Sequence, residues 1–258
     1  MHAKTAPTLA VLLAAMLLGA CAGPAASTQP TPAASTPAQG HAMETAAGHG
    51  QAAPSRDESA PPPPALNPAQ GKEIGFAYGA FLSPHQEGGE EKDTPSLTPN
   101  QFKSTAPSLL RSERTGRGHG VVRFTKDLSK AYVDVKIENV KVEDVVMFHI
   151  HCGRPGQLGP IIVDFAFEGD LQASLADGVL SATITNEDIE KEAASGEGLV
   201  GAFTAGCPIV PGLPDKVKTV AGMQHIAEQG ELYFNLHTKG QVFFGDIRGK
   251  LSPIPLRR

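Results

Sequence analysis

Beyond residue 73, apolar and polar positions alternate with a period of two through most of the chain. Lys130 to Glu138, KAYVDVKIE, is the clearest case. Successive side chains of an extended strand point to opposite faces, so Val133, Val135 and Ile137 share one side and Tyr132, Asp134, Lys136 and Glu138 the other. That pattern predicts a strand with one buried and one wet face. Gly118 to Phe124 alternates in the same way and can pair with it across Thr125 to Ser129. Ile74 to Leu82, Leu180 to Thr185, Glu231 to Thr238 and Gln241 to Leu251 read as further strands, the last two forming a hairpin across Lys239-Gly240. Asn186 to Ala194 opens with a capping residue and an acidic first turn, which predicts a short helix; Val217 to Glu228 predicts another. Ser83 to Thr105 is acidic and Pro-rich and reads as a loop. Its Glu87, Glu90, Glu91 and Asp93 are expected on a solvated face, with a weak cation site as the alternative. About eight strands with little helix predict an all-β fold, an antiparallel β-sandwich or flattened Greek-key barrel of superoxide-dismutase-like or immunoglobulin-like type.

The stretch from Val145 to Phe165, VVMFHIHCGRPGQLGPIIVDF, breaks the monotony of this pattern. An apolar strand runs into His149-Ile150-His151, stops at a Gly/Pro loop and resumes as a second apolar strand. Val145, Met147, His149 and His151 share a face, and the two histidines sit about 6.6 Å apart along the strand. In the Glu231 strand the same rule groups Glu231, Tyr233, Asn235 and His237 against Leu232, Phe234 and Leu236. Three imidazoles from two strands are the minimum for a zinc or copper site, and His119 and His225 are candidates for a fourth ligand. The competing expectation is structural: His149, His151 and His237 hydrogen-bond a sandwich edge, with Asn235 and Asp164 as partners. Asp246 and Arg248 flank Ile247 on one face, which suits an ion pair or shared network of structural use.

The N-terminus departs from the alternation altogether. His2 and Lys4 precede the apolar run Leu9 to Leu18, which has signal-peptide length and is too short to span a bilayer. It ends in Leu18-Gly19-Ala20-Cys21, which resembles the bacterial lipobox. That resemblance implies cleavage after residue 20 and a lipidated Cys21; Ala22, not Asp, implies outer-membrane sorting, on the periplasmic or the surface side. Residues 21–73 are rich in Ala and Pro with few large apolar side chains, so they cannot bury enough surface to offset their ordering entropy, and a disordered tether is expected. His41 and His49 lie there as solvated residues or weak metal scavengers.

The net charge of −5 and the lack of a basic stripe argue against nucleic acid, which needs cations to displace its counterions. Of the cysteines Cys21, Cys152 and Cys207, the last two remain after lipidation. In an oxidising envelope they most simply form a disulfide; thiolate ligation by Cys152 beside His151 is the alternative. No nucleophile elbow, Walker loop, HExxH helix or dinucleotide fingerprint occurs, so no catalytic residue is assigned.

His149-Ile150-His151-Cys152-Gly153, then Pro155-Gly156 and Gly159-Pro160, resemble the central motif of the chordin-type CHRD domain. Phe81-Leu82-Ser83 with Gln86-Glu87 is similar to its opening, and Tyr233 to Thr238 followed by Gly245 to Gly249 to its closing. The resemblance covers residues 74–252, leaving 253–258 as a tail. Asp246 stands where that family usually has Glu, and Gly196 to Val217 is longer than typical. The likeness implies a β-rich extracellular domain and no settled biochemical function. The His-x-His strand is also similar to the metal-binding strand of copper-zinc superoxide dismutases, without their full set of bridging histidine, aspartate and arginine; fold analogy alone does not carry the activity. Two readings follow. The first is a non-catalytic binding or structural module, lipid-anchored in the envelope, with an unnamed protein partner. The second is a copper- or zinc-binding envelope protein, with superoxide-dismutase-like chemistry as its furthest extension.

Overall fold

The structure is a computed structural model that describes residues 73–196, 201 and 203–256. The signal sequence, Cys21 and residues 21–72 of the tether therefore lie outside the described residues. The alternating segments become strands β1 (Ile74–Leu82), β2 (Arg117–Thr125), β3 (Lys130–Glu138), β4 (Val145–Cys152), β5 (Ile161–Asp164), β6 (Val179–Thr185), β7 (Leu232–Thr238), β8 (Ile247–Lys250) and β9 (Ser252–Pro253). They form two antiparallel sheets, one ordered β6-β3-β2-β1-β9 and the other β5-β4-β7-β8. The fold is thus an all-β sandwich. No helix among the described residues is long and apolar enough to cross a membrane.

The core lies between the sheets. Val122, Phe124, Val133 and Val135 from the first meet Phe148, Ile150, Phe234 and Leu236 from the second, all at 1% exposure or less. Burying each large side chain contributes roughly 1.5–3 kcal/mol, so this layer dominates the stability. Gly120 permits the close approach of the sheets, since a Cβ there would stand 2.5 Å from the Phe234 ring. Helices α1 (Leu171–Ser174), α2 (Asn186–Ser195) and α3 (Val220–Glu228) fill the connections. In α2, Asp188 accepts from both the N–H and the hydroxyl of Thr185, satisfying the helix start. α3 begins at Val220, not Val217, because the Thr219 hydroxyl accepts from the Gly222 N–H.

Three expectations need correction. Gln241 to Leu251 is a strand only over Ile247–Lys250: a tight turn does close across Lys239-Gly240 with a Thr238–Gln241 bridge, but the ladder to β7 then breaks and resumes only at Ile247. The Glu91 carboxylate takes the N–H groups of Val242, Phe243 and Phe244, and His237 takes the Val242 carbonyl, which removes the groups a strand ladder needs. The acidic segment is not uniformly solvated: Glu87 and Glu91 are buried, and Glu90 pairs with Arg111 at 3.1 Å. The start of the 253–258 tail joins the fold: Pro253 pairs on Tyr78, and the Ile254 N–H donates to the Ala77 carbonyl at 2.9 Å.

Candidate metal centre

Inward-facing Phe148 and Ile150 force Met147, His149 and His151 to the outer face of the β4 sheet. In β7, inward Leu232, Phe234 and Leu236 do the same for Tyr233, Asn235 and His237. The antiparallel register sets Met147 opposite His237, His149 opposite Asn235 and His151 opposite Tyr233. This outer face is not wet. Residues from the acidic segment, the Gly/Pro loop and the 241–246 loop cover it, and every residue of β7 is buried.

There the three histidines meet. One ring nitrogen from each of His149, His151 and His237 lies within 4.8 Å of those of the other two. Metal bonds of about 2.0–2.1 Å place tetrahedral nitrogens about 3.4 Å apart, so each ring need move by under about 1 Å to close on an ion. The hydrogen bonds decide which nitrogens are available. His151 Nδ1 donates to the Gly159 carbonyl at 2.8 Å and His237 Nδ1 to the Val242 carbonyl at 2.9 Å. That fixes both tautomers with a lone pair on Nε2. Those two Nε2 atoms, and Nδ1 of His149, are buried without a hydrogen-bond partner. On its other nitrogen, His149 faces the Asp164 carboxylate at 3.6 Å.

Burial pushes all three imidazoles down and holds them neutral. His151 falls to about 3, through burial and then the nearby His237, and His237 to about 4 through burial. His149 lies well below the ordinary imidazole value, first from burial and then from its two neighbours. Neutral, clustered imidazoles that each keep an unpartnered nitrogen are the state a metal ion requires. Three buried acceptors with no donor are otherwise costly, at roughly 1–3 kcal/mol each.

Surrounding groups hold the cluster rigid. Tyr233 stacks on His151 with centroids 5.1 Å apart and planes 5° from parallel. The Arg248 guanidinium lies 3.4 Å from the Tyr233 centroid on a cation–π contact and donates to the carbonyls of Gln157 and Arg154. Arg248 thus braces the Gly/Pro loop that carries Gly159. Asp246 pairs instead with Arg114 at 3.5 Å, so these two residues serve different partners. Asn235 donates to the Phe244 carbonyl at 2.9 Å. The Cys152–Cys207 disulfide, with Cα atoms 6.1 Å apart, ties the end of β4 to the segment after Ala205.

The other two candidate histidines lie elsewhere. His119 stands on β2 in the opposite sheet, its ring 5.9 Å from Phe81. His225 is on the exposed side of α3, 3.9 Å from Glu228. Sequence reasoning missed Glu91 as a support of the site and Tyr233 as the stacking partner of His151. Tyr233 was visible on the shared β7 face; Glu91 had no local signal that set it apart from its acidic neighbours.

The chain matches the family model of the CHRD domain over residues 96–251. No curated protein and no solved structure matches it. The match contains all three converging histidines and both cysteines of the disulfide. β1 precedes it, yet pairs with β2 from end to end and belongs to the same sandwich. The chain is a member of the CHRD domain family.

Proposed function

We propose that this is a lipid-anchored protein of the bacterial envelope whose CHRD domain is a non-catalytic module holding one copper or zinc ion on His149, His151 and His237. The observation that carries the metal reading is the set of three neutral, buried imidazoles that converge, each with one nitrogen unpartnered and the other facing a backbone carbonyl or a carboxylate. Both metals accept imidazole ligands, and three of them leave a further coordination position open. When bound, the ion supplies a Lewis-acidic or redox-active centre; the chain supplies its orientation and a dry surrounding. The Leu18-Gly19-Ala20-Cys21 sequence and the tether behind it support the anchor.

Elemental analysis of the full chain after micromolar exposure to copper or zinc tests the metal. One equivalent is expected, retained in His225→Ala and lost in the double variant His149→Ala, His151→Ala. Metal no higher than background in the wild type overturns this reading. Fractionation tests the anchor: Cys21→Ala should move the protein from membranes to the soluble fraction, and continued membrane association would refute lipidation at that residue.

A further inference from the structure

The cavity above the three histidines carries information about what reaches them. It encloses about 330 Å³, at the small end for ligand sites. His149, His151 and His237 contribute to one side of it. Phe102, Leu158, Phe203 and Phe243 contribute apolar surface from the covering loops, and Met147 and Pro160 extend it. Among the described residues, no Lys, Arg, Asp or Glu lines this cavity. Arg248 is not among the residues lining it; its guanidinium packs on the Tyr233 ring and donates to loop carbonyls.

From this we infer that the open position of the proposed metal centre takes a small uncharged ligand with an apolar body and one lone-pair donor, in preference to a small anion. The inference rests on the metal reading and deepens it. A charged ligand entering the cavity sheds water into an apolar surrounding with no opposite charge to replace it, which is costly. An anion such as superoxide also lacks the cationic funnel that speeds encounter with a charged substrate. A neutral ligand keeps its metal bond and gains by burying its apolar body against Phe102, Leu158 and Phe243.

Cobalt(II) loaded into the full chain provides an absorbing probe of the coordination sphere. Its visible spectrum is titrated separately with azide, imidazole and 4-phenylimidazole at a pH where the azoles are neutral. 4-Phenylimidazole is expected to bind at least tenfold more tightly than either imidazole or azide. Leu158 is 45% exposed, and Leu158→Lys sets a cation at the rim without disturbing the core. That variant should bind azide several-fold more tightly and 4-phenylimidazole less well. A protein that takes up cobalt but prefers azide, or gains nothing from the phenyl ring, overturns this inference and leaves the metal reading standing. A protein that takes up cobalt no better than its His149→Ala, His151→Ala variant, and binds neither copper nor zinc above background, overturns both.

Discussion

Replacing Glu91 by alanine should destabilise the domain far more than a surface carboxylate could. Glu91 is 7% exposed. Its carboxylate accepts from Val242 N–H at 3.2 Å, Phe243 N–H at 3.0 Å, Phe244 N–H at 3.2 Å and the Ser104 hydroxyl at 2.6 Å. Deleting it strips three amides of their acceptor, one in a buried residue and two in half-buried ones. At roughly 1–3 kcal/mol for each orphaned donor, and taking the lower part of that range because Phe243 and Phe244 are half-buried and Val242 also has the Ser104 hydroxyl at 3.2 Å, the cost is about 4 kcal/mol. For a fold of this size that lowers Tm by about 8–16 °C. Asp93 is exposed and two residues away, so Asp93→Ala makes the same change of charge as a control, with an expected cost under about 0.5 kcal/mol. Urea denaturation of the metal-free chains measures both. The Val242 carbonyl also holds His237 Nδ1, so Glu91→Ala should weaken metal binding as well. If the two variants unfold within about 1 kcal/mol of each other, Glu91 does not organise this loop, and the account of why β8 starts only at Ile247 fails with it.

Further outcomes follow from the same structure. Removing the disulfide with Cys207→Ser opens a loop of 55 residues and should cost about 4 kcal/mol on the chain-entropy estimate, read as a lower urea midpoint that reducing agent does not lower further. Burial raises Glu192 to about 7, so the folded state takes up its proton before the unfolded chain does. Its contribution is therefore present below about pH 4.5 and lost as pH rises through 7, and Glu192→Gln should gain about 2 kcal/mol over wild type between pH 5 and pH 8. A constant difference between these two proteins across that range would contradict it. His151 and His237 run the other way, with folded values of about 3 and about 4. Their contribution is complete above the unfolded value of about 6.5 and lost as pH falls towards 4, at about 2 kcal/mol each by pH 5. Protons therefore compete poorly for the folded site, and dialysis at pH 5 should leave bound zinc in place; its release near pH 6 would show accessible, ordinary imidazoles.

Much of the site was legible because strand periodicity is a local property of the backbone. Val133, Val135 and Ile137 declare the buried face of β3 by spacing alone. The same spacing places His149 beside His151 and sets His237 among Tyr233 and Asn235. Elimination pairs Cys152 with Cys207 once Cys21 is expected to carry lipid. Local pattern could not choose among the histidines, however. His119 alternates as well as any of them, and only the pairing of β2 into the other sheet takes it away from the cluster.

Loops and long-range bonds decided the rest. From sequence, β7 has one polar face with no sign of what covers it, and Glu91 is one acid among several. In the folded chain Glu91 bonds Phe243 across 152 residues, ends the expected hairpin, and fixes the carbonyl that orients His237. The sequence by itself determined the strands, their two faces and which side chains each face presents, because these depend on neighbours one or two residues away. The tertiary structure alone decided that one polar face is buried, that its three imidazoles are neutral and converge, and that apolar side chains close over them. Each of those depends on desolvation by distant segments, which no spacing along the chain encodes.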